Sequence, residues 1–168
     1  MDATLVRVPG AQSAEMTQAA AVAKVIAVAE SAPDLRLSLG EWWPALHFML
    51  SGDVPIPRPE ALRRGVSWDD RSLESVLMGG EATPYRDSLG AARVLSPRQV
   101  ARLAQRLDER GVDAIMGGLD VDAMHDEGIL STEDDEDVAD ALRSRLESLV
   151  EFYRAAAADG DAILVYVV

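Results

Sequence analysis

The sequence has no cysteine, only two histidines and a single lysine among its 168 residues. The absence of cysteine excludes a disulfide scaffold, a thiolate metal site and a cysteine nucleophile. Because His47 and His125 are the only imidazoles, a metal site would depend on carboxylates, and we expect neither a metal nor a cofactor. Phosphate-binding glycine loops, a Gly-x-Ser-x-Gly elbow and a His-Glu-x-x-His zinc motif are also missing. No short motif therefore points to an enzyme.

Long hydrophobic runs are missing as well. No stretch reaches the roughly 18 apolar residues that a membrane-spanning helix needs. The apolar stretch 19–29 has no charged lead-in and is interrupted by Lys24, so it does not fit a signal peptide. These features predict a cytoplasmic protein. Fifteen arginines against one lysine, with abundant alanine, are typical of a high-GC bacterial source.

The charge is strongly one-sided, with a formal net value of −13. Such a chain repels nucleic acid and anionic membranes, and it attracts basic proteins. Residues 120–140, called here the acidic segment, hold ten acids and no Lys or Arg. The acids are Asp120, Asp122, Asp126, Glu127, Glu133, Asp134, Asp135, Glu136, Asp137 and Asp140. This segment supplies most of the net charge.

Apolar periodicity and turn residues predict an α+β fold in which a small mixed β-sheet packs against several helices in a single domain over residues 1–168. Residues 4–8 are expected to form an edge or outer strand, residues 91–95 a short strand and residues 162–167 a central strand. Helices are predicted at 13–31, 97–110 and 132–158, the last with an apolar stripe ending in Tyr153.

The remaining segments are shorter. Ser38 to Glu41 resembles a capping box, and Pro44 allows either a helix that starts near Trp43 or a longer, kinked one. Residues 53–70 are expected to be a loop in which Pro59 could open a short helix. Residues 72–78 predict a helix closed by Gly79-Gly80, followed by a loop to Gly90, and residues 112–124 predict short helices broken at Gly117-Gly118.

Three stretches in order resemble the bacterial YfbM-like family of unknown function. They are Leu39-Gly-Glu-Trp-Trp-Pro-Ala-Leu-His-Phe-Met-Leu-Ser-Gly-Asp53, then Leu77-Met-Gly-Gly-Glu81 with Leu89-Gly-Ala-Ala-Arg-Val-Leu-Ser-Pro97, and finally residues 152–167. The similarity covers the chain from about Leu39 to its end, whereas the N-terminal strand lacks the family's glycines. The resemblance implies the fold and carries no catalytic residue that could be transferred.

His47 is the strongest candidate for chemistry. A partly buried imidazole could act as a general base, with Glu81 or Asp87 orienting it and Arg93 binding an anion. The alternative is a structural histidine that hydrogen-bonds a loop carbonyl and ties Gly79-Gly80 to the helix. The sequence leaves both open and favours the structural role.

The acidic segment offers two further candidates. Asp120-x-Asp122 could begin a calcium loop, but Met124 and His125 stand where such a loop needs a ligand and a glycine. The second candidate is a docking site for a basic partner protein, formed by Asp134, Asp135, Glu136 and Asp137. The alternative is that these acids only keep the start of a helix soluble.

Two functions therefore remain. The first is a non-enzymatic interaction protein whose acidic C-terminal surface binds a basic protein, as an immunity or inhibitor protein would. The second is a small enzyme or ligand-binding protein with a pocket near His47, Glu81 and Arg93.

Overall fold

The computed structural model of the chain describes residues 2–52, 72–87, 90–130 and 137–168. Within these residues the strands are Ala3–Val8 (β1), Arg36–Ser38 (β2), Glu81–Asp87 (β3), Gly90–Leu95 (β4) and Ala162–Val167 (β5). The α-helices are Ala19–Glu30 (α1), Trp43–Ser51 (α2), Ser75–Met78 (α3), Pro97–Arg110 (α4), Val112–Met116 (α5), Val121–Asp126 (α6) and Val138–Asp159 (α7). Short 3₁₀ segments occupy Gly10–Thr17, Pro33–Leu35 and Gly40–Trp42.

The strands form one sheet in the order β2-β1-β5-β4-β3, and every pairing is antiparallel. The α+β class is therefore confirmed, while the expected mixed sheet is wrong. The reason is the direction of α4 and α7, which run antiparallel. Arg154 near the end of α7 pairs with Asp108 of α4, and Arg143 near the start of α7 pairs with Asp113, just beyond α4. One helix leads away from the end of β4 and the other returns to it, so β5 enters antiparallel beside that end.

The central strand is β5, as its sequence predicted. All six of its residues are buried because helices cover both faces of the sheet. β1 lies between β5 and β2, so of the two positions expected for it, an edge or an outer strand, the edge is wrong. The edge beside β1 is the three-residue strand β2, which is too short to leave a recognisable pattern in the sequence.

Strand alternation divides the core into two parts. One face of the sheet, with Leu5, Leu95 and Val165, packs against α2 and the helices from α4 to α7. The other face, with Val6 and Leu164, packs against the first 3₁₀ segment and α1. The predicted apolar stripe of α7 is fully buried on the first face: Val138, Leu142, Leu146, Leu149 and Tyr153.

A buried hydrogen bond fastens α3 to this core. The hydroxyl of Tyr153 donates to the carbonyl of Val76 at 2.5 Å. Because the phenol is completely enclosed, burial raises its pKa well above the usual value.

Several element boundaries differ from the expectation. Residues 13–31 form a 3₁₀ segment followed by α1 instead of one helix, and β3 lies where a loop was expected. Ser38 is not a helix cap, because its hydroxyl donates to the carboxylate of Asp2 at 2.6 Å. α2 begins at Trp43 with Pro44 in its first turn, so the structure has the shorter of the two helices that the sequence allowed. The proline-rich stretch 53–70, including the helix considered at Pro59, lies outside the described residues.

α4 and the segment after it match the prediction. Ser96 caps α4 in a reciprocal capping box with Gln99, and Pro97 occupies the first turn. Short helices α5 and α6 then lie on either side of Gly117-Gly118. None of the helices in the described ranges has the combination of length and low polarity that crossing a bilayer requires.

Candidate functional site

His47 lies in the interior of the protein. It sits in the middle of α2 and is 3% exposed. Its neighbours Trp43, Leu46 and Leu50 are also buried, because α2 is apolar on most of its surface and packs against α3, α5 and α7. The imidazole therefore belongs to the packed side of the sheet, away from bulk solvent.

Arg93 has a structural contact. It lies on β4, and its guanidinium donates to the carbonyl of Gly80 at 2.5 Å. Burial lowers the pKa of Arg93 from its ordinary value, because the surrounding protein disfavours the charged form. This hydrogen bond holds the Gly79-Gly80 turn against β4.

Glu81 lies at the start of β3, beside an open cleft of about 360 Å³. The cleft is lined by Ser13, Ala14, Glu81, Val94, Ser96 and Gln99. Most of its other polar groups already have partners. The Ser13 hydroxyl donates to the carbonyl of Gly10 at 2.8 Å, and Ser96 and Gln99 hydrogen-bond each other in the capping box. Glu81 is thus the one charged side chain among the residues that line this cleft.

The structure does not bring His47, Glu81 and Arg93 into one site. Glu81 stands opposite Val94, and Arg93 stands opposite Ala82 and Val165. Since neighbouring residues on a strand point to opposite faces, Glu81 lies on the α1 side of the sheet and Arg93 on the α7 side. Neither His47 nor Arg93 lines the cleft. Asp87, the other suggested partner of His47, is the last residue of β3.

The carboxylates in the described part of the acidic segment are exposed. They belong to Asp120, Asp122, Asp126, Glu127, Asp137 and Asp140. None of the six forms an ion pair with a Lys or Arg of the described residues. Asp137 precedes the first turn of α7. The other three residues proposed for docking, Asp134, Asp135 and Glu136, lie outside the described residues.

Two residues considered for calcium have local structural contacts. The carboxylate of Asp120 accepts the backbone N–H of Ala123 at 2.9 Å and so caps α6. His125 Nδ1 lies 3.1 Å from the carbonyl of Leu130. In the ranges that the structure describes, no three His, Asp or Glu side chains are grouped in a way that could hold a metal ion.

The outer side of α4 carries a feature that no sequence-based prediction above includes. Arginine recurs there every four residues, at Arg98, Arg102, Arg106 and Arg110. That spacing places side chains on one side of a helix, so the signal was present in the sequence. The contact of Arg145 with Trp42, whose ring centre lies 5.1 Å from the guanidinium carbon, left no comparable pattern.

Comparison with known families supplies a family but no activity. The family model described as Domain of unknown function (DUF1877) matches residues 1–166. The chain belongs to the DUF1877 family. A solved structure with a similar fold is that of YfbM from Escherichia coli, a protein of unknown function, which is 16% identical to this chain, with a TM-score of 0.67 and 100% of both chains covered. No curated protein matches the chain. The YfbM-like resemblance in the sequence is thus confirmed for the fold.

Proposed function

We propose that this DUF1877 chain is a non-enzymatic interaction protein of the bacterial cytoplasm that binds a basic protein through its acidic segment. An immunity or inhibitor protein that neutralises a basic toxin would have this design. The supporting observation is that six carboxylates of the segment are exposed and lack a cationic partner among the described residues.

Charge density makes the acidic segment suitable for this role. Carboxylates that are already solvated and unpaired lose no ion pair when a basic surface approaches. Their combined field speeds the encounter with a basic partner and selects against acidic ones. The attraction acts over about one Debye length, roughly 8 Å at physiological salt, so binding should weaken steeply as salt is added.

The test is retention of a basic protein from a lysate of the source cell by the tagged chain. A variant carries Asp134→Asn, Asp135→Asn, Glu136→Gln and Asp137→Asn. We expect a basic protein to be retained at about 50 mM salt, released at about 500 mM salt, and retained at least tenfold less by the variant.

A matched control separates local from total charge. Glu15→Gln, Glu30→Gln, Asp34→Asn and Glu41→Gln remove the same number of charges from exposed positions in the N-terminal part of the chain. This control should retain the partner as well as the natural chain does. Equal retention by both variants, or equal loss, would show that the acidic segment has no specific role in binding.

A second candidate, a small-ligand-binding protein or small enzyme, is favoured by the cleft beside Glu81. The cleft is large enough for a small polar molecule, and its single carboxylate would select a ligand with an amino group or several hydroxyl donors. The sequence also suggested His47 and Arg93 for this pocket, but neither residue lines the cleft. A thermal-shift screen of polar metabolites against the natural chain and Glu81→Gln tests it, since a ligand of the cleft should raise Tm only in the natural chain.

A further inference from the structure

The outer surface of α4 carries a row of cations in an otherwise acidic molecule. The arginine row consists of Arg98, Arg102, Arg106 and Arg110. Because four residues complete slightly more than one helical turn, the four side chains follow one side of α4 over about 18 Å. The opposite side of the helix is buried in the core through Val100, Leu103, Ala104 and Leu107.

Three members of the arginine row lack the ion pairs that other arginines of the chain have. Arg7, Arg143 and Arg154 each pair with an aspartate. In contrast, Arg98, Arg106 and Arg110 are exposed and form no ion pair with a described residue. Like charges one helical turn apart destabilise a helix, so this spacing brings no benefit to the isolated chain.

We propose that the arginine row binds an acidic segment of a partner protein. Guanidinium groups hold carboxylates through paired hydrogen bonds, and a helix with acids every four residues presents carboxylates at the same interval as the row. The row is short and ends near acids of its own chain, Glu109 and Asp113. A short acidic segment fits between these limits, whereas a long polyanion such as RNA would extend over a surface whose net charge is −13.

This interaction is separate from the proposed function, because the acidic segment of this chain contributes nothing to the row. Repulsion by the rest of the molecule does not prevent it, since at physiological salt charges more than about 8 Å from the contact are largely screened. The partner therefore needs carboxylates only where it touches the arginine row.

The test measures fluorescence anisotropy of a labelled, alanine-based helical peptide with four glutamates spaced four residues apart. The natural chain should bind it in a salt-dependent way, and a peptide with glutamine in place of glutamate should not bind. The variant Arg98→Gln/Arg106→Gln/Arg110→Gln should bind at least tenfold more weakly. Glutamine forms helices well, so α4 should stay folded, which circular dichroism can verify.

The control variant Lys24→Gln/Arg86→Gln/Arg143→Gln removes the same charge from two exposed sites and from the half-buried, ion-paired Arg143, and it should bind within twofold of the natural chain. Absence of peptide binding, or equal weakening in both variants, would overturn the proposal. So would tighter binding of a labelled single-stranded RNA that depends on the same three arginines. Self-association in sedimentation velocity that is lost only in the row variant would also overturn it, since a second copy of this chain, and not another protein, would then supply the carboxylates.

Discussion

Gly80 connects α3 to β3 at a position where a side chain has no room. Its φ is +93°, and an added Cβ would lie 2.4 Å from the carbonyl oxygen of Val94. Its own carbonyl accepts the hydrogen bond from Arg93. Both the backbone conformation and the close approach to β4 therefore require glycine. The resemblance to a known family included this Gly-Gly-Glu turn, and the structure supplies its physical reason.

We predict that Gly80→Ala lowers the free energy of unfolding by more than about 2 kcal/mol, measured by urea denaturation. Gly160→Ala is the matched control, since Gly160 has φ +69° and ψ 29°, in the left-handed helical region, but nothing within 4 Å of an added Cβ. That change should cost only about 1 kcal/mol, the price of the left-handed conformation alone. Equal losses in the two variants would contradict the role assigned to the contact with Val94.

Tyr153 gives the protein a dependence on alkaline pH. Burial raises the pKa of this phenol in the folded state, so the folded chain holds the proton more tightly than the unfolded chain does. Its contribution to stability is complete below the unfolded pKa of about 10 and is lost as pH rises above it.

We therefore expect the free energy of unfolding to fall by about 1.4 kcal/mol per pH unit above about pH 10 on account of this group. Urea denaturation at pH 9, 10 and 11 measures the slope. Tyr153→Phe should be less stable at neutral pH by about 1–3 kcal/mol, because the carbonyl of Val76 loses its buried donor, and should show a shallower alkaline slope. An unchanged slope in that variant would rule out Tyr153 as the source.

At the scale of elements, the sequence predicted helices and strands correctly where one local pattern allowed a single interpretation. Ser96 and Pro97 mark the start of α4 in the sequence, and in the structure Ser96 caps this helix, in a reciprocal capping box with Gln99. The uninterrupted apolar residues of β5 likewise predicted a central strand. β3 was missed because Pro84 interrupts its pattern and its register shifts between Ala82 and Arg86. These features protect an exposed sheet edge, and they also remove the alternation by which a strand is recognised.

The candidate site was harder to predict than the elements for a related reason. Glu81 and Arg93 are both polar residues near one turn, and the sequence does not say which face of the sheet either will occupy. Their separation follows from the pairing of β3 with β4 and of β4 with β5, which involves residues far apart in the chain. The role of His47 depends in the same way on how α2 packs against three other helices. Local patterns do not contain this information.

The cap of α4 provides a prediction at the scale of elements. Ser96→Ala removes the side-chain acceptor for the N–H of Gln99 and should reduce stability by about 1 kcal/mol. Ser148→Ala is the control, since the Ser148 hydroxyl lies within α7 and donates to the carbonyl of Ser144. That change should be neutral or slightly stabilising, because alanine is the better helix former. Thermal unfolding of both variants measures the difference, and a neutral Ser96→Ala would mean that packing alone fixes the start of α4.

At the scale of the whole molecule, an ion pair joins the two ends of the chain. Arg7 on β1 donates from Nε to Asp161 at 2.8 Å, and its Nη2 contacts both Asp161 and Asp159. Burial by itself would lower the pKa of Arg7, but hydrogen bonds and charge from the two aspartates outweigh it and raise the pKa. The guanidinium thus depends on these carboxylates for its stability in a mostly enclosed position.

We predict that Asp161→Asn lowers the free energy of unfolding by about 1–3 kcal/mol, because it leaves a charge that is 14% exposed without its main partner. Asp159→Asn should cost less than about 1 kcal/mol, since the Asp159 side chain is 64% exposed and water replaces its contact. Urea denaturation at pH 7 compares the free energies of unfolding of the two variants. Similar losses would show that Asp161 is not the main partner of Arg7.

The pairing of β1 with β5 places the beginning and the end of the chain side by side, where Asp2 and Val168 exchange two backbone hydrogen bonds. β5 is also the strand that separates β1 from β4, so residues 162–167 complete the middle of the sheet. Without them, β1 and β4 have no common neighbour. Because residues 2 and 168 are already hydrogen-bonded to each other, a circularly permuted chain that joins them through a short linker should fold to the same sheet.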